Sequence, residues 1–434
     1  MERDRTAVPA LGRNRCPLGR FFKALKCYNP LILIRADTAK TKKAVIMDFE
    51  LSVEQKVMKR SVGDFLKKEI VPLANEYEKK YHSLPKEIVI KLLKMLVPFG
   101  YVGGIVPENG GGVGLSFLFY GLLLEELARA YASLALIEIG QSIATSYPMY
   151  KLGSEELKAK FLQRMVSGEI VGAHAITEPD VGSGVRDITT TAVLQGDEYV
   201  INGTKTWSTG GDIADIIYVT AVRDLAKGQR DFCIFVIEKE RSMFSTRVLP
   251  KLGLRGAASA EIFFEDCRIP KENILGKPGS GLEVTIENVG LGRLANATIA
   301  LGIAEAALDY SVEYARQRKQ FGKPIGRFQL IQEMIAEMAV EIECACLLTY
   351  KGWDLLDKGS GSAQIFSMAK LYSTEMAIRV TSKAIEIHGA YGLSEEYPVE
   401  RYFRDARCLT FPDATSEIQK LVIGREILGF QAFV

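Results

Sequence analysis

The spacing of apolar residues changes twice along the chain, and the order of these changes limits the folds that it can adopt. From residue 47 to about residue 166, apolar side chains recur every three or four positions, as at Leu66 and Ile70, which predicts helices. Between about 169 and 270 the spacing falls to two, which predicts strands. From residue 281 the helical spacing returns. This order indicates three consecutive domains.

We therefore expect an α+β protein with an N-terminal all-α domain, a middle β-barrel domain and a C-terminal four-helix bundle. The three domains are placed at 47–166, 167–280 and 281–434, after a basic extension at 1–46. The four bundle helices are expected at 283–318, between Pro324 and Gly359, at about 363–388 and at 415–429.

Turn signals within the middle domain predict how its strands are connected. The dipeptides Gly196-Asp197 and Asn202-Gly203 lie six residues apart, and both are typical of tight hairpin turns. We therefore expect a hairpin turn at each of them.

The charge of the chain is concentrated at its start. Residues 1–46 hold eleven Lys or Arg against three Asp or Glu, so the rest of the chain carries a small negative charge. Two interpretations remain open: a mitochondrial transit peptide, or an upstream extension, disordered or outside the natural start, before Met47. We favour the extension, which predicts a cytoplasmic protein, with the mitochondrial matrix as the alternative. The acidic remainder gives no reason to expect a nucleic-acid partner.

Cysteines and apolar runs argue against two further classes. The seven cysteines form no C-x-x-C pair, and the chain has only three histidines, so neither a metal site nor a disulfide framework is expected. No uncharged apolar run approaches the roughly 18 residues that a membrane span requires, so we expect none.

Five segments match one protein family in the same order. They resemble the acyl-CoA dehydrogenases, and they are 173–184 with its Thr-Glu-Pro turn, 202–209 with Trp207, 316–322 followed by Phe328-Gln329, 387–392, and 397–405. One such match is weak evidence, but five in sequence order are specific. The resemblance implies the family's fold, FAD as cofactor, an acyl-CoA thioester as substrate, electron-transferring flavoprotein as partner and a homotetramer built as a dimer of dimers.

The same resemblance implies which residues bind the cofactor. A flavin needs hydrogen-bond donors at its oxygen edge and an apolar wall, and a pyrophosphate suits an arginine. The implied cofactor residues are Ile176, Thr177, Gly182, Ser183, Trp207, Thr209, Arg318, Phe321, Gln329, Glu386, Gly389, Ala390, Thr415 and Glu417. The implied substrate residues are Ser183, Arg293, Arg425 and Glu138.

The proposed base lies in the segment Pro412-Asp413-Ala414-Thr415, just before a helix capped by Thr415 or Ser416. This segment resembles the family's Tyr-Glu-Gly-Thr, which supplies the carboxylate that removes a substrate proton. Asp413 is therefore the predicted base. Some members place the base instead directly before the arginine that matches Arg293, but here that residue is Gly292.

Two further departures from the family pattern concern the cofactor site. Gly184 stands where the family usually has Asp, which removes a carboxylate that would cap the turn. Glu386 stands where it usually has Gln, which places an anion near phosphates unless an Arg or Lys pairs with it.

Asp413 is one methylene shorter than the family's usual Glu, which bears on the substrate. The shorter side chain withdraws the carboxylate by roughly 1 Å, a misplacement that costs about 10²-fold in rate if nothing compensates. An alicyclic or α-branched acyl group, such as cyclohexanecarboxyl-CoA, would compensate by filling the space. The Asp base also resembles that of the alicyclic dehydrogenases in this family. The alternatives are a short-chain or glutaryl-type dehydrogenase, a flavin-dependent oxidase on the same fold, and a scaffold without activity.

Glu138 interrupts the apolar run that starts at Leu134. We expect it to lie on a solvated helix face; the alternative is a position at the end of the acyl pocket.

Overall fold

The computed structural model describes residues 51–80, 83–225 and 229–432. The basic segment 1–46, and with it the transit-peptide and extension hypotheses, lies outside the described residues. Val53–Val434 form one compact unit. The predicted succession of a helical region, a β region and a second helical region is confirmed.

The N-terminal region consists of helices that bury the predicted apolar stripe. Val62, Leu66 and Ile70 are all buried in the core of this region. The helices are α1 (Val53–Phe65), α2 (Val71–Lys80), α3 (Lys86–Leu96), α4 (Phe117–Gln141), α5 (Tyr147–Leu152), α6 (Glu155–Leu157) and α7 (Gln163–Val166). Short 3₁₀ turns lie at Val97–Phe99 and Glu108–Gly110, and π-helical turns at Leu66–Ile70, Ser142–Ser146 and Lys158–Leu162.

Helix α4 is interrupted and folds back on itself. Ser116 caps its start by accepting a hydrogen bond from the Phe119 amide at 3.2 Å. Tyr131 leaves the helical conformation, with φ −158° and ψ 96°. The Tyr120 hydroxyl then donates to Glu138 Oε2 at 2.6 Å, across 18 positions of sequence. Because a straight helix of that length would separate the two by roughly 27 Å, the two halves of α4 must pack as a hairpin.

The β region forms one eight-stranded sheet of order β6-β7-β3-β2-β4-β5-β8, with β1 beside β4. Alternating side chains fill a core on one face, and helices cover part of the other. The strands are β1 (Gly172–Ala175), β2 (Thr191–Gln195), β3 (Glu198–Thr209), β4 (Ile216–Leu225), β5 (Gln229–Glu238), β6 (Ser245–Leu249), β7 (Ser259–Pro270) and β8 (Ile274–Leu275).

One of the two predicted hairpin turns is present and the other is wrong. Gly196-Asp197 joins β2 to β3 as expected. Asn202-Gly203 instead lies within β3, where the register with β7 shifts. Gly203 has φ 149°, and a Cβ there would lie 2.5 Å from Thr190 Oγ1. The dipeptide thus makes a bulge, and the Asn202 side chain accepts the Asp266 amide of β7 at 2.8 Å.

The C-terminal region contains the four predicted long helices and one shorter helix. A small hairpin, β9 (Lys319–Gln320) and β10 (Lys323–Pro324), separates the first two. The helices are α8 (Gly281–Gln317), α9 (Gln329–Asp357), α10 (Ala363–His388), α11 (Val399–Cys408) and α12 (Ser416–Leu428). Short 3₁₀ turns lie at Ile325–Arg327 and Gly389–Leu393 in this region, and at Val185–Asp187 between β1 and β2.

Helix α8 lies at the centre of the fold. It packs on α4, α9 and α10, and nearly all of its side chains from residue 291 to 304 are buried. Within the described residues it is the one helix long and apolar enough to cross a membrane, but 83% of its most apolar window is buried in the fold. A buried core helix passes the same test, so this length and composition are explained by packing.

Candidate active site

The turn before α12 presents Asp413 in a strained conformation. Asp413 and Ala414 both have positive φ, 53° and 82°, which costs an L residue roughly 1 kcal/mol or more each. Gln419 Nε2 donates to both of their carbonyls at 3.0 Å. From α10, Lys370 Nζ donates to the carbonyls of Ala414 and Thr410 at 2.6 and 3.2 Å. These four bonds hold the turn in place.

Thr415 is the cap of α12. Its hydroxyl accepts the Ile418 amide at 3.5 Å. Ser416, the other candidate, donates its hydroxyl to Glu375 at 2.6 Å. Only Ala414 therefore separates Asp413 from the capping residue of the helix.

The Asp413 carboxylate lies directly on the backbone of α8. Asn296 Nδ2 donates to Asp413 Oδ2 at 2.7 Å and to the Gly292 carbonyl at 2.8 Å. A Cβ at position 292 would lie 2.3 Å from Asp413 Oδ2 and 2.8 Å from Oδ1. Glycine is thus required beneath the carboxylate, and position 292 and Asp413 cannot both carry an acid. Among the described residues, none donates a hydrogen bond to Oδ1.

The protonation of Asp413 is set by opposing effects. Burial raises its pKa to about 6, against the lowering effects of the Lys370 and Arg293 charges and the Asn296 hydrogen bond. Burial lowers the pKa of Lys370 to about 8, against the Asp413 charge, which raises it. Lys370 is only 1% exposed. A carboxylate with a pKa near 6 is ionised at neutral pH and basic enough to take a proton.

Two arginines approach the same turn. Arg293 Nε donates to the Asp413 carbonyl at 3.3 Å. Burial lowers the pKa of Arg293, Asp413 raises it, and the nearby charge of Arg425 lowers it. Arg425 is exposed and also pairs with Glu426 at 2.7 Å. The structure therefore brings the predicted base and two of the predicted substrate residues together.

The Thr-Glu-Pro segment is fixed by a buried ion pair. Lys205 Nζ, inside the sheet, donates to Glu178 Oε1 at 2.9 Å and to the Ile176 carbonyl at 2.8 Å. Glu178 also accepts the Thr189 amide and hydroxyl and the Thr190 amide at 2.6–2.8 Å. These bonds to the anion lower the pKa of Glu178 to about 2, against burial, which raises it. The backbone beside Thr177 is therefore held in place by these hydrogen bonds.

The predicted flavin residues from β1 and β3 lie side by side. The Thr206 amide donates to the Thr177 carbonyl at 2.8 Å, which joins the two segments. Trp207 has φ 59° and is 57% exposed, and Thr209 ends the same strand. Ile176 and Thr177 are half-buried beside them.

The loop after this segment carries Gly182 and Ser183, both exposed. A Cβ at position 184 would lie 2.9 Å from Asp187 Oδ2. A carboxylate thus already occupies the space next to Gly184, and it comes from three residues further along the chain.

The remaining predicted cofactor residues lie at helix ends and are mostly exposed. Arg318 ends α8, with its guanidinium carbon 5.8 Å from the Tyr391 ring centroid. Gly389 ends α10 with φ 61° and ψ −140°, a conformation essentially restricted to glycine. Glu386 is exposed and makes no ion pair among the described residues, so the expected Arg or Lys partner is not found there. Phe321, Gln329, Ala390 and Glu417 are also exposed, and Thr415 is half-buried.

Glu138 contradicts the expectation of a solvated face. It is fully buried in the hairpin of α4, where the Tyr120 hydroxyl bonds to one oxygen and the other has no partner in the described part of the chain. Burial raises the pKa of Glu138 to about 7, against hydrogen bonds from Ser142 and Tyr120 that lower it. The helical periodicity could not reveal this burial, because α4 folds back and covers both of its faces.

Four polar residues of this site were missed because they act across long sequence distances: Lys370, Asn296, and the ion pair of Lys205 with Glu178. A signal existed for two of them. Lys370 follows the buried Phe366 by four residues, and Asn296 follows Gly292 by four within an apolar run. A polar residue on the buried face of a helix usually bonds to a neighbouring element.

Several observations fit a bound flavin nucleotide. Trp207 and Phe321 are large aromatic side chains that are 57% and 92% exposed, which is typical of binding surfaces. The Thr177 carbonyl accepts the amide of Thr206, the residue before Trp207. Arg318 makes no ion pair within the described ranges, so its guanidinium is available to a phosphate.

Comparison with known proteins identifies the class. Family profiles described as acyl-CoA dehydrogenase N-terminal, middle and C-terminal domains match residues 52–169, 173–267 and 279–428. The chain therefore belongs to the acyl-CoA dehydrogenase family. It is an oxidoreductase that uses FAD to dehydrogenate an acyl-CoA thioester.

Individual relatives align with this chain over nearly all of their own length. Glutaryl-CoA dehydrogenase of Desulfococcus multivorans is 38% identical over 387 residues, which are 88% of this chain and 98% of the relative. Caffeyl-CoA reductase-Etf complex subunit CarC of Acetobacterium woodii is 35% identical over 378 residues, 87% and 99% of the two chains. The structure of butyryl-CoA dehydrogenase from Megasphaera elsdenii matches with a TM-score of 0.82 and 36% identity, over 88% of this chain and all of that one.

Proposed function

We propose that Asp413 is the base that takes the α proton of the acyl-CoA thioester. The C–H bonds at the α and β carbons break, a double bond forms between the carbons, and the α proton moves to Asp413. FAD, when bound, supplies the acceptor for the hydride from the β carbon. The observation that carries the proposal is the half-buried carboxylate, with one oxygen held by Asn296 at 2.7 Å and a pKa near 6.

The residues around Asp413 and on the sheet have separate roles in this proposal. Thr177, Trp207 and Thr209 would hold the flavin ring, and Arg318 would hold the pyrophosphate. Arg293, Arg425 and Ser183 would bind the thioester and its CoA part. Lys205 supports the first group because it fixes the Ile176 carbonyl, one residue before Thr177, at 2.8 Å.

We infer that the substrate is alicyclic or α-branched, of the cyclohexanecarboxyl-CoA type. The short Asp413 side chain rests against Gly292 and is bonded to Asn296, so it cannot extend further from α8. A substrate must therefore bring its α carbon closer to α8 than a base of Glu length would require. A bulky α carbon does this by filling the space above the shorter base.

A panel of thioesters tests the substrate class. Flavin-loaded enzyme would be mixed anaerobically with cyclohexanecarboxyl-CoA, butyryl-CoA and glutaryl-CoA, and bleaching of the flavin absorbance would be followed. The proposal expects the ring substrate to react at least tenfold faster than the other two. Faster bleaching by butyryl-CoA or glutaryl-CoA would overturn it.

A glutaryl or short-chain substrate is the second candidate, and the relatives favour it. One relative is named for glutaryl-CoA and one structural match for butyryl-CoA. The same panel decides between the two candidates, because each predicts a different thioester as the fastest.

We propose electron-transferring flavoprotein as the electron acceptor, since one relative is a subunit of a complex with Etf. The competing oxidase hypothesis predicts oxygen consumption with substrate and no added acceptor. Substrate-dependent reduction of electron-transferring flavoprotein with negligible oxygen uptake would support the dehydrogenase.

We also propose that the chain assembles as a homotetramer. Helix α9 exposes Leu330, Val340 and Leu347 along its outer face, and Phe321 is exposed just before it. Exposed large apolar side chains mark interaction surfaces, and Leu330 directly follows the proposed cofactor residue Gln329.

A further inference from the structure

The two oxygens of the Asp413 carboxylate have different surroundings. Asn296 Nδ2 donates to Oδ2 at 2.7 Å, whereas no described residue donates to Oδ1. The Asn296 side chain is fully buried on α8. It is held in turn by the Gly292 carbonyl one helical turn earlier, at 2.8 Å. Both protons of its amide nitrogen are therefore used, and its orientation is fixed.

A carboxylate can rotate about its last bond, which would exchange its two oxygens. Gly292 lies beneath the group, with the position of a Cβ only 2.3 Å from Oδ2 and 2.8 Å from Oδ1. The carboxylate thus fills the space that a side chain at position 292 would take, and the Asn296 bond selects one of its two orientations. The backbone bonds from Gln419 and Lys370 fix the turn but do not touch the carboxylate.

We propose that Asn296 is a positioning residue that anchors Oδ2 of Asp413 and so assigns Oδ1 as the atom that takes the α proton. This inference rests on the proposed role of Asp413 as the base. It adds an amide on α8 that orients the base and stabilises its ionised form. A neutral donor does this without placing a further charge beside the substrate.

Other charged groups also face Asp413 and act on its ionisation. The cations are Lys370 of α10 and Arg293 of α8, and Arg425 of α12 acts on Arg293. The acids that act on Lys370, besides Asp413 itself, are Glu375 of α10 and Glu417 of α12. All of these groups are unchanged by a substitution at Asn296, so a shift in the pH profile of the variant reports the lost amide.

The test replaces Asn296 with leucine, which has the same number and branching of side-chain heavy atoms and no donor. For the Asn296→Leu enzyme loaded with flavin, we expect the acid limb of kcat/KM to move up by about one to two pH units, the equivalent of a hydrogen bond to a charged group. Ser311→Ala is the matched control, since Ser311 is buried on the same helix and bonds only to the Ala307 carbonyl at 2.7 Å. Its acid limb is expected at the wild-type pH.

A second readout follows the base without hydride transfer. A CoA thioester with α hydrogens and a quaternary β carbon has no hydride to give, so exchange of its α hydrogen with D₂O, followed by NMR, reports the base alone. In the Asn296→Leu enzyme, the pH below which the exchange rate falls is expected to move up by the same one to two pH units. If this variant fails to fold, Asn296→Asp is measured in the same way, and its acid limb is expected to rise further because two acids then meet.

The outcomes separate the two proposals. An Asp413→Asn enzyme that exchanges at the wild-type rate would overturn the base assignment itself. An inactive Asp413→Asn enzyme, together with an Asn296 variant whose limb stays at the wild-type pH in both assays, would overturn only the role of Asn296.

Discussion

At the scale of single residues, the ionisation of Asp413 depends on a balance between burial and its neighbours. Burial disfavours the charged form, whereas Lys370, Arg293 and Asn296 favour it. The result is a pKa of about 6, above the ordinary value of 3.8. Because a base must be ionised to accept a proton, its reactivity follows the deprotonated fraction.

We expect kcat/KM to fall about tenfold for each pH unit below about pH 6 and to be level above it. Stopped-flow bleaching of the flavin between pH 5 and pH 9 would measure the profile. Glu287→Gln serves as the control, since its carboxylate is on the surface and pairs with Lys151 at 2.9 Å. If kcat/KM of the wild-type enzyme fell only below about pH 4, burial would not be what sets the pKa of Asp413.

Ala414 offers a test of backbone strain. It has φ 82°, which glycine adopts without the steric cost that Ala incurs. Ala414→Gly is expected to stabilise the protein by about 1 kcal/mol, which raises the thermal midpoint by roughly 1–2 °C. Ala300→Gly within α8 is the opposite control, and its midpoint should fall. An unchanged or lower midpoint for Ala414→Gly would show that the turn is not strained.

At the scale of elements, the hairpin of α4 encloses an acid with a pKa of about 7. Its value when unfolded is near 4.5, so between these pH values the folded state binds more protons than the unfolded state. The stability that protonated Glu138 contributes to the folded state is therefore fully present below about pH 4.5 and is lost as the pH rises through about 7. The ionised form at higher pH destabilises the hairpin.

Glu138→Gln should remove this pH dependence and keep an acceptor for the Tyr120 hydroxyl. At pH 8 we expect the free energy of unfolding of the variant to exceed that of the wild type by about 2–3 kcal/mol, which raises the thermal midpoint by roughly 2–4 °C. At pH 4.5 we expect the two proteins to be equally stable. Differential scanning fluorimetry at both pH values measures the difference. Parallel midpoints for the two proteins across the range would contradict the assignment.

At the scale of the whole molecule, the proposed assembly through the outer face of α9 predicts that loss of the oligomer also weakens retention of the cofactor. A Leu330→Glu, Val340→Glu double variant is expected to sediment as smaller species than the wild type and to retain less FAD. Analytical ultracentrifugation and flavin absorbance measure both. Lys351→Glu, a charge change on the same helix, is the control. If the double variant keeps the wild-type assembly, another face holds the subunits together.

The parts of the molecule that follow from local sequence were predictable. The helix–strand–helix order and the segment around Asp413 depend on residue spacing and short motifs, which are visible in the sequence itself. The Asn202-Gly203 dipeptide was misplaced because a bulge and a turn use the same residues. The burial of Glu138 depends on the reversal of chain direction at Tyr131, which the spacing of apolar residues does not predict.

Contacts between distant segments could not be predicted. Asn296 and Asp413 are 117 residues apart, and Lys370 and Ala414 are 44 apart. The sequence alone identifies Gly292 only as the absence of a second acid, whereas its missing side chain makes room for the Asp413 carboxylate. Which residues meet at these places depends on the packing of α8, α10 and the last turn.

Helix α8 carries Gly292, Arg293 and Asn296 within five consecutive positions, about one turn of the helix. A helix rotates by about 100° per residue, so inserting a single residue between Arg293 and Asn296 would turn the amide away from the carboxylate while leaving the glycine beneath it. Insertions into the Gly196-Asp197 turn shift no such alignment. The molecule should therefore accept changes of length at that hairpin and reject them in the middle of α8.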